Sequence, residues 1–316
     1  MRVVFCGSGG FGIPSLRAIL EGGLKVPLVV SQPPRPAGRG GKLRPTDVAR
    51  TATDMGLPVL EASNVNDPGV MERIAAQRPD VVFVVDFGQF VSRPLRELAP
   101  LGSFNLHASL LPALRGAAPI NRAIMDGHDF TGVTTFKLVK EMDAGPIYLQ
   151  HATGIQPQET ADELEYRLAE MGAELVVSTL LMLREGSARP RMQEESRATH
   201  APRLSKPDGV IDWSRPAVEV RNLIHGTWPW PGGQSVFCHC ANGKQRPVVI
   251  ARARLADDHA QPPGEPGTVG RDLSVATGEG RLEVLQLKPA GKRLMDWKDF
   301  VNGYRVEGGD RFAPAT

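Results

Sequence analysis

Three polar residues interrupt otherwise apolar or turn-like sequence. Asn105 and His107 lie in "GSFNLHASLLP", and Asp143 lies in "LVKEMDAGP". One residue separates Asn105 from His107, so an extended strand places both side chains on the same face. A buried amide or imidazole without a partner would be costly. An amide N–H and an imidazole can both donate to an oxyanion, and a nearby carboxylate can orient the imidazole and help move protons. Such a set suits acyl transfer to an amine without a covalent enzyme intermediate. Ser109 is close to His107 in sequence but lacks the G-x-S-x-G elbow of a serine hydrolase. Read singly, each of the three is equally a satisfied structural polar group. Read as a set beside the "SLLP" turn, they point to a site.

These side chains need a scaffold, and the first half of the chain supplies one. Short apolar runs alternate with helical patterns: "VVFC", "KVPLVVS", "PDVVFVVDFG" and "GSFNLH" read as strands, and "PSLRAILEGG", "PTDVARTATDMG" and "NDPGVMERIAAQ" as helices. Asp67 is the expected N-cap of the last of these, with Pro68 at its first helical position. Beta-alpha alternation predicts a doubly wound parallel sheet, and ligands of such sheets bind beyond the strand C-termini, where Asn105 and His107 fall. A long amphipathic helix follows, opened by a capping box of Thr160 and Glu163. Past residue 188 the sequence becomes polar and proline-bearing. Beyond that, short beta-like runs separated by Gly and Pro predict a small antiparallel barrel.

Near the N-terminus, Gly7, Gly9 and Gly12 reproduce the G-x-G-x-x-G spacing of a dinucleotide-binding turn. That reading also requires an acidic residue at the tip of the second strand to hold a ribose. The tip here is "LVVSQPP", with Ser31 and Gln32 and no carboxylate. Two readings stay open for the turn: tight strand–helix packing, or backbone amides facing an anionic part of a substrate.

The block "NLHASLLPALRGAAPI", followed by "TGVT" and "MDAGPI", closely resembles the folate-dependent formyltransferases, which move a formyl group from 10-formyltetrahydrofolate to an amine. The resemblance implies an α/β fold, with a Rossmann-like catalytic domain followed by an OB-like β-barrel. It implies that Asn105, His107 and Asp143 are catalytic. It further implies that 10-formyltetrahydrofolate is bound by Asp86, Phe87, Gly88, Gln89, Phe90 and Val91, by Ser109, Leu110, Leu111 and Pro112, and by Lys140, Glu141 and Met142. Asp86 departs from the family, which has a small residue before the aromatic–glycine pair; a bond to the pterin and a bond to nearby backbone are both open for it. The glycine turn and Lys137 and Lys140 are also unlike the usual pattern.

Local charge bears on which amine is the acceptor. The segment "QPPRPAGRGGKLRPTDVAR" carries Arg35, Arg39, Lys42, Arg44 and Arg50 against the single acid Asp47. A basic, glycine-rich loop can order against a phosphate backbone. The segment resembles the tRNA-contacting insertion of the family branch that acts on methionyl-tRNA, which implies that Arg35, Arg39, Lys42 and Arg44 bind tRNA. The C-terminal segments resemble the linker and barrel of the same branch. The expected organisation is a catalytic domain over 1–188 with a basic insertion over 33–45, a linker over 189–208 and a tRNA-binding barrel over 209–316. The expected partner is initiator methionyl-tRNA, and the protein is expected to be a monomer. The nearest alternative is an amino-sugar N-formyltransferase using the same donor; a catalytically silent RNA-binding relative is the other.

Composition sets outer bounds. The chain has 316 residues, 41% hydrophobic and 23% charged, with a net charge of +2, so only a local basic surface could serve a nucleic acid. No apolar run is long enough to span a membrane, and the opening "RVVFCG" reads as a strand and not as a targeting segment. Three cysteines give no disulfide framework. A cytoplasmic protein with no DNA or membrane partner is expected. Cys238, His239 and Cys240 have the residue types of metal ligands, but alternation along a strand would send His239 to the opposite face, and no metal site is expected.

Overall fold

A computed structural model describes residues 1–37, 41–256 and 264–315. The chain forms two compact units. The first comprises Met1–Gly116, Thr131–Thr153 and Glu165–Ala201, and the second Ala117–Phe130, Gly154–Leu164 and Pro202–Thr316.

In chain order, the elements run β1 (Arg2–Gly7), α1 (Ile13–Glu21), β2 (Lys25–Ser31), β3 (Arg35–Ala37), β4 (Lys42–Arg44), α2 (Asp47–Asp54), β5 (Val59–Glu61), α3 (Pro68–Ala75), β6 (Val81–Val85), α4 (Arg93–Arg96), β7 (Ser103–His107), β8 (Arg115–Gly116), α5 (Pro119–Met125), β9 (Phe130–Lys137), β10 (Ile147–Gly154), α6 (Ala161–Glu185) and β11 (His200–Ala201). The main sheet has seven strands in the order β10-β9-β7-β6-β1-β2-β5. Strands β5, β2, β1, β6 and β7 are parallel, and β9 is antiparallel to β7. Every residue of β6 is buried, as are the alternating pairs Val3, Phe5 and Val4, Cys6 of β1. Successive residues face opposite sides of a sheet, so both faces are covered, as the all-apolar runs predict. Ile74 of α3 and Leu95 of α4 pack on the face that carries Val4, Cys6, Val82 and Val84.

The order places the chain reversal between β1 and β6, where strands leave in both directions. The C-terminal ends of β1, β6 and β7 therefore surround the crevice in which ligands of such sheets bind. The expected cap at Asp67 forms, and of the expected Thr160–Glu163 box the half made by the Glu163 carboxylate forms. The Asp67 carboxylate accepts from Gly69 N–H at 2.9 Å. The Glu163 carboxylate accepts from Thr160 N–H at 3.0 Å, while the Thr160 hydroxyl donates to Glu163 and Asp162 instead of accepting a backbone bond.

The second unit continues with α7 (Ala217–Thr227), β12 (Gly233–Cys238), β13 (Gln245–Leu255), β14 (Val275–Ala276), β15 (Arg281–Pro289), β16 (Met295–Asp296), α8 (Trp297–Tyr304) and β17 (Arg311–Pro314). Its strands run β14-β15-β13-β12-β17, with β16 on β15, and all the pairs are antiparallel. Thr268 bridges Arg311 of β17 and Val269 bridges Val275 of β14, so the two edge strands are joined and the sheet closes into a barrel. Burial alternates along β12, as it should when one face meets the core. Trp213, Phe237, Phe300 and Phe312 fill that core. Helix α5 belongs to this unit: Asn121 Nδ2 donates to the Gly226 carbonyl at the end of α7 at 2.8 Å.

The stretch read as a linker over 189–208 is not a free tether. Residues up to Ala201 belong to the first unit, because Arg191 pairs with Ile147 and β11 pairs with β8. Polar, proline-bearing composition signalled irregular backbone but carried no trace of these long-range pairings.

Candidate active site

Strand β7 positions the first two residues. Asn105 sits in mid-strand between Val84 of β6 and Phe136 of β9, and His107 ends the strand opposite Thr134. Their shared face follows from the strand period. Among the described residues, the buried Asn105 side-chain oxygen has no hydrogen-bond partner. Buried polar atoms normally find one, so this orphaned oxygen near the C-terminal end of the strand marks a place for a ligand.

His107 is almost fully buried, with its ring edge-on to Phe136 at 6.4 Å between centroids. Its Nε2 lies 2.9 Å from the Leu114 carbonyl. A carbonyl only accepts, so Nε2 carries a proton and Nδ1 is the nitrogen left to exchange one. The Asp143 carboxylate lies 3.8 Å from Nδ1. That gap is too long for a hydrogen bond, and it leaves the carboxylate facing the ring nitrogen that is free to exchange a proton.

Asp143 stands in the turn between β9 and β10 with a left-handed backbone, φ 52°. Gly116 N–H, on β8, donates to its Oδ2 at 2.8 Å. The turn is drawn tight where Lys137 N–H donates to the Pro146 carbonyl at 3.0 Å. A Cβ on Gly145 would stand 1.7 Å from the Lys137 carbonyl oxygen, so only glycine fits there. Asp143, distant in sequence, is thus brought beside His107, which shares its strand face with Asn105. Their second partners, Leu114 O and Gly116 N–H, are main-chain atoms that residue types cannot signal.

The residues expected around a folate fall into two kinds. Lys140, Glu141 and Met142 are exposed at the tip of the Asp143 turn, and Phe90 is 63% exposed on the segment after β6. Others are occupied by the fold itself. Ser109 is buried and donates to the Ala113 carbonyl at 2.6 Å, Leu111 packs with Phe136 and Ile147, and Phe87 and Val91 lie in the sheet core. Gln89 ties the segment to the β5 side, accepting from Val65 N–H and donating to the Ala62 carbonyl, both at 2.7 Å. Leu110 and Pro112 are half-buried, Pro112 following a cis bond, and Gly88 has φ 69°.

Asp86 explains the glycine turn. Its carbonyl accepts from Ser8 N–H at 3.0 Å and Gly9 N–H at 3.2 Å. A Cβ on Gly9 would fall 1.6 Å from the Asp86 carboxylate, and one on Gly7 2.8 Å from the Phe5 ring. Gly7 and Gly9 are needed for close packing, and two of the turn's amides already have a partner. Burial among these groups, followed by the charge of Asp47, raises the Asp86 pKa above the usual carboxylate range.

The basic segment is a hairpin, not an irregular loop. In β3 and β4, Arg35 pairs with Arg44 and Ala37 with Lys42. Cross-strand partners share a face, so Arg35, Lys42 and Arg44 line one side, and Arg39 lies outside the described residues. In the second unit, β12 stops at Cys238, so strand alternation does not govern His239 and Cys240 as expected. His239 instead faces the buried Asp310 at 3.1 Å. Among the described residues no group of His, Cys, Asp and Glu is placed to hold a metal, and no helix is long and apolar enough to cross a membrane.

The pattern that defines formyl transferases matches residues 1–180, and the pattern for the formyl transferase C-terminal domain matches residues 203–305. The chain belongs to the formyl transferase family. Among its formyl transferase relatives, the methionyl-tRNA formyltransferase of Symbiobacterium thermophilum is 42% identical, over 99% of this chain and 96% of that protein. The methionyl-tRNA formyltransferase of Moorella thermoacetica is 41% identical over 98% of both chains. A crystal structure of an N-formyltransferase from Helicobacter canadensis, in complex with folinic acid and dTDP-3-aminofucose, shares the fold with a TM-score of 0.64. It is 16% identical and covers 92% of this chain and 99% of that one.

Proposed function

We propose that this formyl transferase moves the formyl group of 10-formyltetrahydrofolate to the α-amino group of initiator methionyl-tRNA, acting as a monomer. The observation that carries the reading is full-length likeness, at about two residues in five, to proteins named methionyl-tRNA formyltransferase. Its chemistry is that of Asn105, His107 and Asp143 in one crevice. In the proposed reaction the amine attacks the formyl carbon. The new C–N bond forms, the bond from the formyl carbon to N10 of the folate breaks, a proton leaves the amine and one arrives on N10. Asn105 donates to the oxyanion of the tetrahedral intermediate. His107, with Nε2–H committed to Leu114, works through Nδ1, and Asp143 offsets the imidazolium charge while the pair passes the proton.

The hairpin supports a tRNA acceptor. Arg44 directly opposes Arg35 and shares a face with Lys42, an arrangement of like charges that costs stability unless a polyanion lies against it. The sugar-acting neighbour shares the fold at 16% identity, so the amino-sugar alternative is not favoured. Its folinic acid supports a folate donor here. The test is formyl transfer by the purified protein from 10-formyltetrahydrofolate to methionyl-tRNA, with uncharged tRNA and a nucleotide-linked amino sugar as controls. Formylation of the amino sugar alone would overturn the proposal.

A further inference from the structure

The turn that carries Asp143 is held from behind by a segment far along the chain. Gln193 Nε2 donates to the Asp143 carbonyl at 2.7 Å and to the Gly145 carbonyl at 2.8 Å. Its Oε1 accepts from Arg115 Nε at 3.1 Å and Nη2 at 2.9 Å. Arg115 is buried to within 5% of its surface, and its Nη1 and Nη2 also donate to the Glu195 carboxylate, both at 2.9 Å. The arginine fork saturates the Gln193 oxygen and so fixes which way the amide points, leaving both its N–H groups for the turn.

The strap is anchored on both sides of the site. Ile147 and Arg191 exchange backbone bonds of 2.8 and 2.9 Å just after the Asp143 turn. On the other side, Leu114 N–H donates to Thr199 Oγ1 at 2.8 Å and Arg115 N–H to the Thr199 carbonyl at 2.9 Å. Leu114 is the residue whose carbonyl fixes His107, and Gly116, next to Arg115, donates to Asp143. One short segment thus ties down both second partners of the His107–Asp143 pair and the Asp143 backbone itself.

We infer that Gln193, oriented by Arg115, is a positioning residue for the transfer step. It holds the Asp143 carboxylate at its working distance from His107 without touching either substrate. The left-handed backbone of Asp143 is a conformation a non-glycine residue leaves when released, and the two Gln193 bonds bracket it. The inference rests on the proposed role of Asp143.

The test is Gln193→Glu, which keeps the shape and the Arg115 bonds but turns an oxygen toward the two carbonyls. Gln193→Met, which removes the bonds without adding charge, is its companion. Misplacement of a reacting group on the scale of an ångström costs on the order of 10²-fold in turnover, so kcat should fall by about that factor in both variants. KM for both substrates should stay within about three-fold, because ground-state binding is untouched. Binding of non-reacting 5-formyltetrahydrofolate, read by fluorescence titration, should be unchanged, and the folded fraction should match the parent by circular dichroism. Folded variants with near-parent kcat would overturn the inference, as would loss of 5-formyltetrahydrofolate binding in step with turnover. If Asp143→Asn keeps full activity, the proposed role of Asp143 fails first, and the two failures are told apart.

Discussion

His225 on α7 offers a sharp test of the barrel's energetics. It is buried to 1% of its surface, and its Nε2 accepts from Ala253 N–H of β13 at 3.2 Å. An imidazole that accepts at Nε2 is neutral there. Burial, then the charges of Arg221 and Arg252, pulls its pKa from 6.5 down to about 4. The unfolded chain takes up this proton near pH 6.5, whereas the folded protein resists it until near pH 4. Between those values the unfolded state binds more protons, so stability falls as pH falls. The linkage integral from about pH 7.5 to about pH 5 gives a loss of roughly 2 kcal/mol from this one group. All four tryptophans, Trp213, Trp228, Trp230 and Trp297, lie in the second unit, so tryptophan fluorescence in urea reports that unit selectively. The parent should lose about 2 kcal/mol more than His225→Gln over that pH interval. Equal losses in the two proteins would refute the reasoning, since every other titrating group is common to both.

Three further outcomes follow from the first unit. Asn105→Ala should cost on the order of 10² to 10³ in kcat with the fold intact, and near-normal turnover would remove Asn105 from the oxyanion role. Gly145→Ala drives a methyl group to 1.7 Å from the Lys137 carbonyl oxygen, so the Asp143 turn must open. Activity should drop by about 10²-fold while the urea midpoint of the second unit, read by tryptophan fluorescence, stays put; full activity would show that the turn tolerates displacement. Lys42→Ala and Arg44→Ala should each weaken tRNA binding and lower the slope of log affinity against log salt by about one, and an unchanged slope in both would take the hairpin out of the interface.

What could be read from the residues is what local periodicity governs. The strand period alone places Asn105 and His107 on one face, and the unbroken apolar run of β6 announces a sheet covered on both sides. Glycine and proline spacing announced the barrel, though not the two-residue bridge that closes it. Gln193 and Arg115 stood in view without a signal. Their bonds span 78 residues of chain, and neither has a spacing that marks it. The strap read as a linker for the same reason: pairing of β11 with β8 is decided by distant partners, and polar composition describes a tether and a strap equally well. The glycine turn was ambiguous because its fingerprint describes a backbone shape. Asp86, some eighty residues downstream, decides what the shape is for.

The atoms that hold His107 and Asp143 from behind, the Leu114 carbonyl and the Gly116 N–H, belong to the peptide backbone. A carbonyl cannot be mutated away, and among the coded residues only proline lacks the N–H. The choice of which imidazole nitrogen exchanges protons is therefore insulated from side-chain replacement at position 114. Substitutions there should register in packing while the proton inventory of the site stays the same. Position 116 is different: its φ is 125° and a Cβ there would stand 2.6 Å from the Ala201 carbonyl oxygen, so any side chain displaces the very N–H that holds Asp143.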